Sequence, residues 1–493
     1  MINTIITQNK IPKIFKISRI LPLSKPDKCK AAIENYRPIN NLPALEKILE
    51  EHILIHLYRF LDENKILNAN QHGGRKRHST TTALAQINNQ ILINNENNKI
   101  TATFTTDLSA AYDTIPIPIL LKKLDHYGIR DDSLKLFESY FDNRQQYVQI
   151  DTYNSEIRKS PHCGCVQGSK ISGLIYALYT NEIPLLYKFM QNNWFEKMTS
   201  VRNIKFKNVG HLTVQFVDDS SNIISFNDPS QIKSYLTNFY LLLESFYNIN
   251  KLKINSDKSN LLLTYKPKFK DQLNNFYLYA NADKIVPKNA IKILGTYIRN
   301  DTKLDAQIGK LSGQLHNKIN EIKSLTKFTN FKTRLNFLNA HVIGKLMYAI
   351  PLYMHANKEL LNKLHKVITT AARAAIGNYC YKKSIKYMLN KCNWLDIDQL
   401  IQNASLNLLH NIINTKEPAA IYDMFKNLEN RRSIVAINLT YRPKNRELKN
   451  FFLYKGTKIY NTLPNDIKNL NPNKFKDQIK AYLKDNSISD TMD

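Results

Sequence analysis

Three carboxylates are the side chains best suited to chemistry in this chain. Asp218 and Asp219 are adjacent inside VQFVDDSSNII, and Asp107 closes the segment TATFTTD. Carboxylate oxygens are hard ligands that suit Mg²⁺. Acidic residues gathered in a strongly basic chain point to a metal-dependent enzyme acting on phosphates. Three of them at converging strand ends could hold two ions ~4 Å apart, one activating an attacking hydroxyl and the other stabilising a departing pyrophosphate. An Asp-Asp pair alone is a weak sign. Asp131-Asp132 precedes the amphipathic run SLKLFESYF and reads as a helix N-cap. Asp107 is what distinguishes the second pair from the first.

The elements that must position these residues are legible as patterns. Val214 and Phe216, then Ile223, Ile224 and Phe226, predict two short strands with a tight turn at the aspartates. TATFTTD predicts a strand ending at Asp107. Upstream, IFKISRILPLSK predicts a strand to Lys25. NYRPINN predicts an extended X-Pro segment that leads into a long helix. A Gly-punctuated basic loop, QHGGRKRH, leads into a second helix. Helices are expected near 117–127, 132–141 and 229–248. QQYVQI and SEIRKS predict paired strands, and Pro184 should end the helix after GCVQGSKISG. KLKINSDKSNLLLTY reads as turn plus strand, and IKILGTYIRN as a short strand pair. Beyond about 303 the pattern is helical, with a core stripe at Ile308, Leu311, Leu315, Ile319 and Ile322. The tail after 430 is basic and less regular, with a short helix near 472–485.

Bulk properties narrow the function classes. A length of 493 residues allows about three structural units. Hydrophobic residues at 43% and charged residues at 23% describe a globular chain. The net charge of +29 favours a polyanionic partner, nucleic acid before anionic membrane. No run reaches the roughly 18 apolar residues of a membrane span, and the N-terminus lacks a secretory pattern. The expectation is an intracellular protein, nuclear or cytoplasmic, neither secreted nor in a membrane. The five cysteines, Cys29, Cys163, Cys165, Cys380 and Cys392, are too scattered for a disulfide framework or a zinc site.

FTTDLSAAYDTI, GCVQGSKISG, QFVDD, LKINSDKS and ILGTYI follow one another in the order of palm motifs A to E of reverse transcriptases. YRPINNLPALEKILEEHI and NQHGGRKRHSTTTAL resemble the finger motifs of the non-LTR (LINE-type) retrotransposon branch. The resemblance covers about 15–330, and KIYNTLPNDIKNL with KFKDQIKAYL continues it more weakly. It implies an α+β right-hand polymerase with fingers at 1–100, palm at 101–300, a helical thumb at 301–380 and a basic helical C-terminal extension at 381–493. The implied activity is RNA-directed DNA synthesis with an RNA template, a DNA primer, dNTPs and two Mg²⁺ ions, with Mn²⁺ as a substitute.

The resemblance also implies roles. Asp107, Asp218 and Asp219 match the metal-binding aspartates, with the first two as principal ligands, the carbonyl of Leu108 as a further one and Asp219 less direct. Tyr112 matches the aromatic that lies under the incoming sugar and excludes a 2′-OH. Lys25 and Arg37 match triphosphate-contacting finger residues; Arg grips phosphate bidentately and Lys acts as a point charge. Gln167 and Gly168 match the pocket-shaping pair of motif B. Lys258 matches a candidate general acid for the pyrophosphate. Arg75, Lys76 and Arg77 are expected at the template backbone, and Gly295 and Tyr297 at the primer.

The chain departs from the pattern in motif B, where Val166 and Gly173 replace prolines that would fix φ. Val217, before the aspartates, is expected to be unobjectionable in a strand. No endonuclease, RNase H or zinc-knuckle signature is recognised, and the chain opens almost inside the finger motifs. Two alternatives remain open at this stage. One is a decayed or co-opted copy that binds RNA without copying it; the other is a different palm polymerase, such as an intron maturase.

Overall fold

A computed structural model describes residues 1–25, 29–109, 111–160, 163–191, 206, 208–280, 283–377, 383–425 and 437–486. Cys380 lies outside them. After a short helix α1 (Ile2–Gln8), β1 (Ile17–Ser24) pairs antiparallel with β2 (Tyr36–Asn41). The expected strand is therefore real, but its first residues form a 3-10 turn and Lys25 lies just beyond its end. The long helix is α2 (Ala44–Glu63), and the second is α3 (Thr80–Glu96). Ser79 and Thr82 start α3 with a reciprocal capping box, each side chain accepting from the other's backbone N–H.

The central sheet has the order β7-β8-β3-β9, entirely antiparallel: β3 (Ile100–Leu108), β7 (Gly210–Phe216), β8 (Asp219–Phe226) and β9 (Ile254–Thr264). Both of its faces are covered, which the alternation of side chains makes visible. Val214, Ile223 and Leu262 join Leu84, Ile87 and Ile91 of α3 in one core. Phe104, Ile224, Phe226, Leu261 and Leu263 turn the other way, onto Phe239 and Leu243 of the helix Ser230–Ile249.

Two expectations need correction, and a third, the pairing of QQYVQI with SEIRKS, stands. Between β3 and the central hairpin, α4 (Ile117–His126), α5 (Asp131–Phe141) and α6 (Ser172–Tyr179) are present. Arg130, not an aspartate, is the N-cap of α5, and Asp131 and Asp132 fill its first turn with no side-chain cap. There they favour the positive helix end instead. α6 ends at Tyr179, before Pro184, which opens a separate 3-10 turn. Finally, β4 (Gln145–Ile150) lies parallel to β1, and β5 (Tyr153–Asn154) and β6 (Arg158–Lys159) pair with β4. Residues 145–159 thus complete the first sheet, although they fall within the range expected for the palm.

Two small hairpins follow β9: β10 (Leu278–Ala280) with β11 (Asp283–Ile285), and β12 (Ala290–Ile293) with β13 (Thr296–Arg299). The helix Asp305–Ser324 buries all five residues of the predicted stripe. The later helices, including Lys358–Ile376, Ile397–Thr415 and Pro472–Asp485, share one continuous hydrophobic core with that stripe and with α3. Glu96 at the end of α3 ties the tail down, accepting from Tyr441 Oη (2.6 Å) and the N–H groups of Lys444 (2.7 Å) and Asn445 (2.6 Å).

Candidate active site

The central hairpin turns in two residues, Val217 and Asp218, because Phe216 pairs directly with Asp219. Val217 has φ +58°, so it lies in the left-handed region and not in the strand expected of it. That region disfavours β-branched residues. The turn brings Asp218 and Asp219 beside the end of β3, where Thr106 pairs with Ser220 and Asp107 is the next residue.

On its other edge, β3 meets an irregular stretch of β9. Thr105 pairs with Asn260 and Asp107 with Asn255, so four residues of β9 stand against one of β3. This stretch, Ser256 to Ser259, exceeds its partner by three residues, bulges outward and carries Lys258 over the aspartate. Lys258 Nζ stands 3.1 Å from Asp107 Oδ2. That oxygen is buried and accepts no hydrogen bond, so the contact is an ion pair without hydrogen-bond alignment. Asp107, Asp219, Lys258 and Lys292 line one cleft of about 190 Å³.

The carboxylates feel one another. Burial first, then the charges of Asp218 and Asp107, push the Asp219 carboxyl up to about 6. Its side chain still meets solvent at the strand's start, so water moderates the effect of burial. Burial also raises Asp218; Asp107 adds to this, while a backbone hydrogen bond and the charge of Arg37 oppose it. Arg37 lies on β2 opposite Leu23, near enough for its charge to be felt at Asp218. A cluster that repels its own charge, all of it oxygen, and holding a buried oxygen with no hydrogen bond, suits a hard divalent cation. As the side chains stand, no three His, Cys, Asp or Glu residues converge on a common point among the described residues.

None of the other predicted residues lines the cleft beside Asp107. Leu108 is buried at the end of β3. Lys25 follows β1, its N–H donating to Asn35 O (2.8 Å). Tyr112 is half-buried, its ring stacked on that of Tyr176 with centroids 5.0 Å apart. Gln167 donates through Nε2 to both oxygens of Asp113 (2.8 and 2.9 Å), which gives Asp113 a partner the sequence did not supply. The Gln167 carbonyl accepts from the Asn40 N–H (2.7 Å). Gly168 has φ +111°, and a Cβ there would stand 2.4 Å from Asn40 O. The motif B loop is thus bound to β2 through backbone contacts that only glycine allows.

Arg75 does not join Lys76 and Arg77 at the surface. Its guanidinium turns inward and donates to the carbonyl of Asn68 (3.1 Å), so the expected basic triplet exposes two members. Gly295 has φ +80° and packs against Tyr348. Tyr297 accepts from Lys310 Nζ (2.7 Å). Both line a larger cleft beside the helix Asp305–Ser324 with Lys345 and Tyr348. Cys165 is buried, its thiol pushed up to about 12 by burial, and Cys163 is exposed.

Sequence reasoning missed the support under the hairpin. Asn70 to His72, assigned only to a basic loop, run alongside β7. Polar residues in a glycine-flanked loop carry no periodic signal that could have marked them.

Residues 23–298 match the protein family described as "Reverse transcriptase (RNA-dependent DNA polymerase)". The chain is 29% identical over 182 residues to the "RNA-directed DNA polymerase from mobile element jockey" of Drosophila melanogaster, covering 37% of this chain and 20% of that protein. It is 28% identical over 188 residues to the "Probable RNA-directed DNA polymerase from transposon BS" of the same organism, with the same coverage. The match therefore spans about one fifth of these relatives' length. Among solved structures, telomerase from Candida tropicalis with a fragment of telomeric RNA aligns over 96% of this chain and 65% of its own, at 11% identity and a TM-score of 0.42. No described helix is long and apolar enough to cross a membrane.

Proposed function

The chain belongs to the reverse transcriptase family, its relatives being non-LTR (LINE-type) elements, and from that premise we propose that it extends a DNA primer on an RNA template using dNTPs. The observation that carries this reading is the meeting of Asp107, Asp218 and Asp219 at adjoining strand ends, where burial and then one another's charge raise the carboxyls of Asp218 and Asp219.

In the reaction, the primer 3′-OH attacks the α-phosphate of a dNTP, an O–P bond forms, and pyrophosphate leaves. Asp107, Asp218 and Asp219, with the Leu108 carbonyl, would hold the divalent cations the family requires. We assign these as two Mg²⁺, with Mn²⁺ as a substitute; bound there, they lower the pKa of the attacking hydroxyl and neutralise charge on the leaving group. Asp107 and Asp219 share the wall that also holds Lys258, while Asp218 faces Arg37. Lys25 and Arg37 bind the triphosphate. Lys258 supplies a proton to the pyrophosphate, a role its position beside Asp107 supports. Tyr112 lies under the sugar and rejects a 2′-OH. Gln167, held by Asp113, and Gly168 shape the pocket for the nascent pair.

The partition we propose is fingers at 1–100 joined by 145–159, palm over the rest of 101–300, thumb at 301–380 and an extension at 381–493 packed into the thumb's core. Lys76 and Arg77 contact the template backbone, and Gly295 and Tyr297 the primer. We place the protein inside the cell, in a ribonucleoprotein.

The test is extension of a DNA primer annealed to RNA, with dNTPs and Mg²⁺. Wild type should extend it, and Asp107→Asn and Asp218→Asn should not. Binding of the hybrid should fall steeply with salt, as expected of backbone contacts. Wild type that binds the hybrid and makes no product would overturn the assignment.

A further inference from the structure

The turn that presents the aspartates is held from below by one side chain. Gln71 is fully buried, and its Oε1 accepts two backbone N–H groups, from Gly73 (2.8 Å) and from Val217 (3.1 Å). Around it, Asn70 to His72 pair with the edge of β7: the Gln215 N–H donates to Asn70 O (2.9 Å) and the His72 N–H to Gln215 O (2.8 Å). Gly73 fits closely beneath, since a Cβ there would lie 2.3 Å from Val217 N. The segment is itself anchored to α3, because the His72 ring is bonded to Thr82 (2.9 Å) and Gln86 (2.8 Å).

Val217 is where this support is needed. A β-branched residue at φ +58° is strained, and a two-residue hairpin turn with φ above zero at its first central position ordinarily carries glycine there. Its N–H would be left without a partner if the turn were not buttressed, because the neighbouring ladder ends at Phe216. The Gln71 amide nitrogen, by contrast, is buried with no hydrogen-bond partner. The oxygen is the part of the side chain in use, and burying the amide costs free energy that a purely structural packing residue would avoid.

We propose that Gln71 is a positioning residue: by accepting the Val217 N–H it fixes the strained turn and so sets where Asp218 and Asp219 point. Its oxygen bonds to the backbone of Gly73 and Val217, not to either carboxylate. The finger segment before α3 thereby becomes part of the catalytic hairpin's mounting. This inference rests on the polymerase reading.

The test uses the full chain with Gln71→Met, which keeps length and volume and removes the acceptor. Hydrogen exchange at the Val217 amide should speed up while the rest of β7 and β8 stays protected. Binding of the primer–RNA hybrid should be unchanged, and kcat should fall about tenfold, the scale of one lost hydrogen bond. In a Val217→Gly background the same change should cost less, because glycine adopts that φ unaided. Wild-type kcat in Gln71→Met would overturn the proposal. So would an equal loss in both backgrounds, or a loss matched by weaker hybrid binding and general loosening of the sheet. A wild-type chain that extends no primer fails the polymerase reading instead, and exchange at Val217 still tests the contact.

Discussion

Lys258 Nζ stands 3.1 Å from Oδ2 of Asp107. The ammonium thus occupies the neighbourhood of the oxygen that a divalent cation would engage, and it reaches there only because β9 bulges by three residues against β3. A lysine in this place has two uses. Beside Asp107 it partly neutralises the cluster; on the proposed reading, a bound cation and nucleotide would draw it toward the phosphates as the proton donor.

Lys258→Ala should separate those uses. The half-saturating cation concentration should fall, because Asp107 loses a competitor, and the rate at saturating cation should fall as well. The lysine is two-thirds exposed, so the variant's stability should change by no more than about 1 kcal/mol. Cation titrations of primer extension, with a urea melt alongside, check both. An unchanged cation requirement would remove the competition argument.

The raised carboxyl of Asp219 gives a pH signature. Its folded value of about 6 lies above the unfolded value near 3.8. The stability it contributes is complete below 3.8 and is lost as pH rises through 6, where the charge must be carried beside Asp218 and Asp107. A cation relieves that repulsion. Added Mg²⁺ should therefore raise the thermal midpoint more at pH 7.5 than at pH 5, and Asp219→Asn should shrink the difference. Equal stabilisation at both pH values would show that these carboxyls do not take up the ion.

Local chemistry explains why so much of this site was readable. Asp107 and the aspartate pair sit at ends of strands whose residues alternate between two buried faces, and alternation is visible in one dimension. The stripe from Ile308 to Ile322 was readable for the same reason. What the chain concealed depends on partners distant in sequence. The pairing of Ile17 with Gln145 moves a segment from one sheet to another. The bond between Gln167 and Asp113 joins positions 54 residues apart. Val217 misled because its type suits a strand, while its place is decided by the two-residue turn and by Gln71.

Tyr112 stacks on Tyr176, a fully buried ring, so its own position is fixed by packing while its edge remains half-exposed. A rigid ring is what a steric filter needs. Tyr112→Ala should raise rNTP incorporation relative to dNTP by about 10-fold or more, the scale on which a pocket rejects one extra group. Single-nucleotide competition assays would measure the ratio. An unchanged ratio would reassign Tyr112 to the core alone.

Arg144 is a buried charge away from the aspartates. It donates to Glu46 (2.7 Å), and both are buried. Next to them Glu50 accepts from Tyr140 Oη (2.5 Å) and from the Lys170 N–H (2.9 Å), which fixes the motif B loop to α2. Burial outweighs Arg144 and raises the Glu46 carboxyl to about 7. Arg144→Met would leave that acid without a counter-charge, a loss of about 3–5 kcal/mol when it is ionised. Because the folded value lies above the ordinary 4.5, Glu46 favours folding most at low pH and loses that contribution as pH rises through 7. The penalty of Arg144→Met should therefore be largest near pH 8 and shrink toward pH 5, where Glu46 takes a proton. Urea unfolding of wild type and variant at both pH values would show it. A penalty independent of pH would mean that Arg144 acts by packing against the Tyr140 ring, 4.8 Å away, and not by neutralising Glu46.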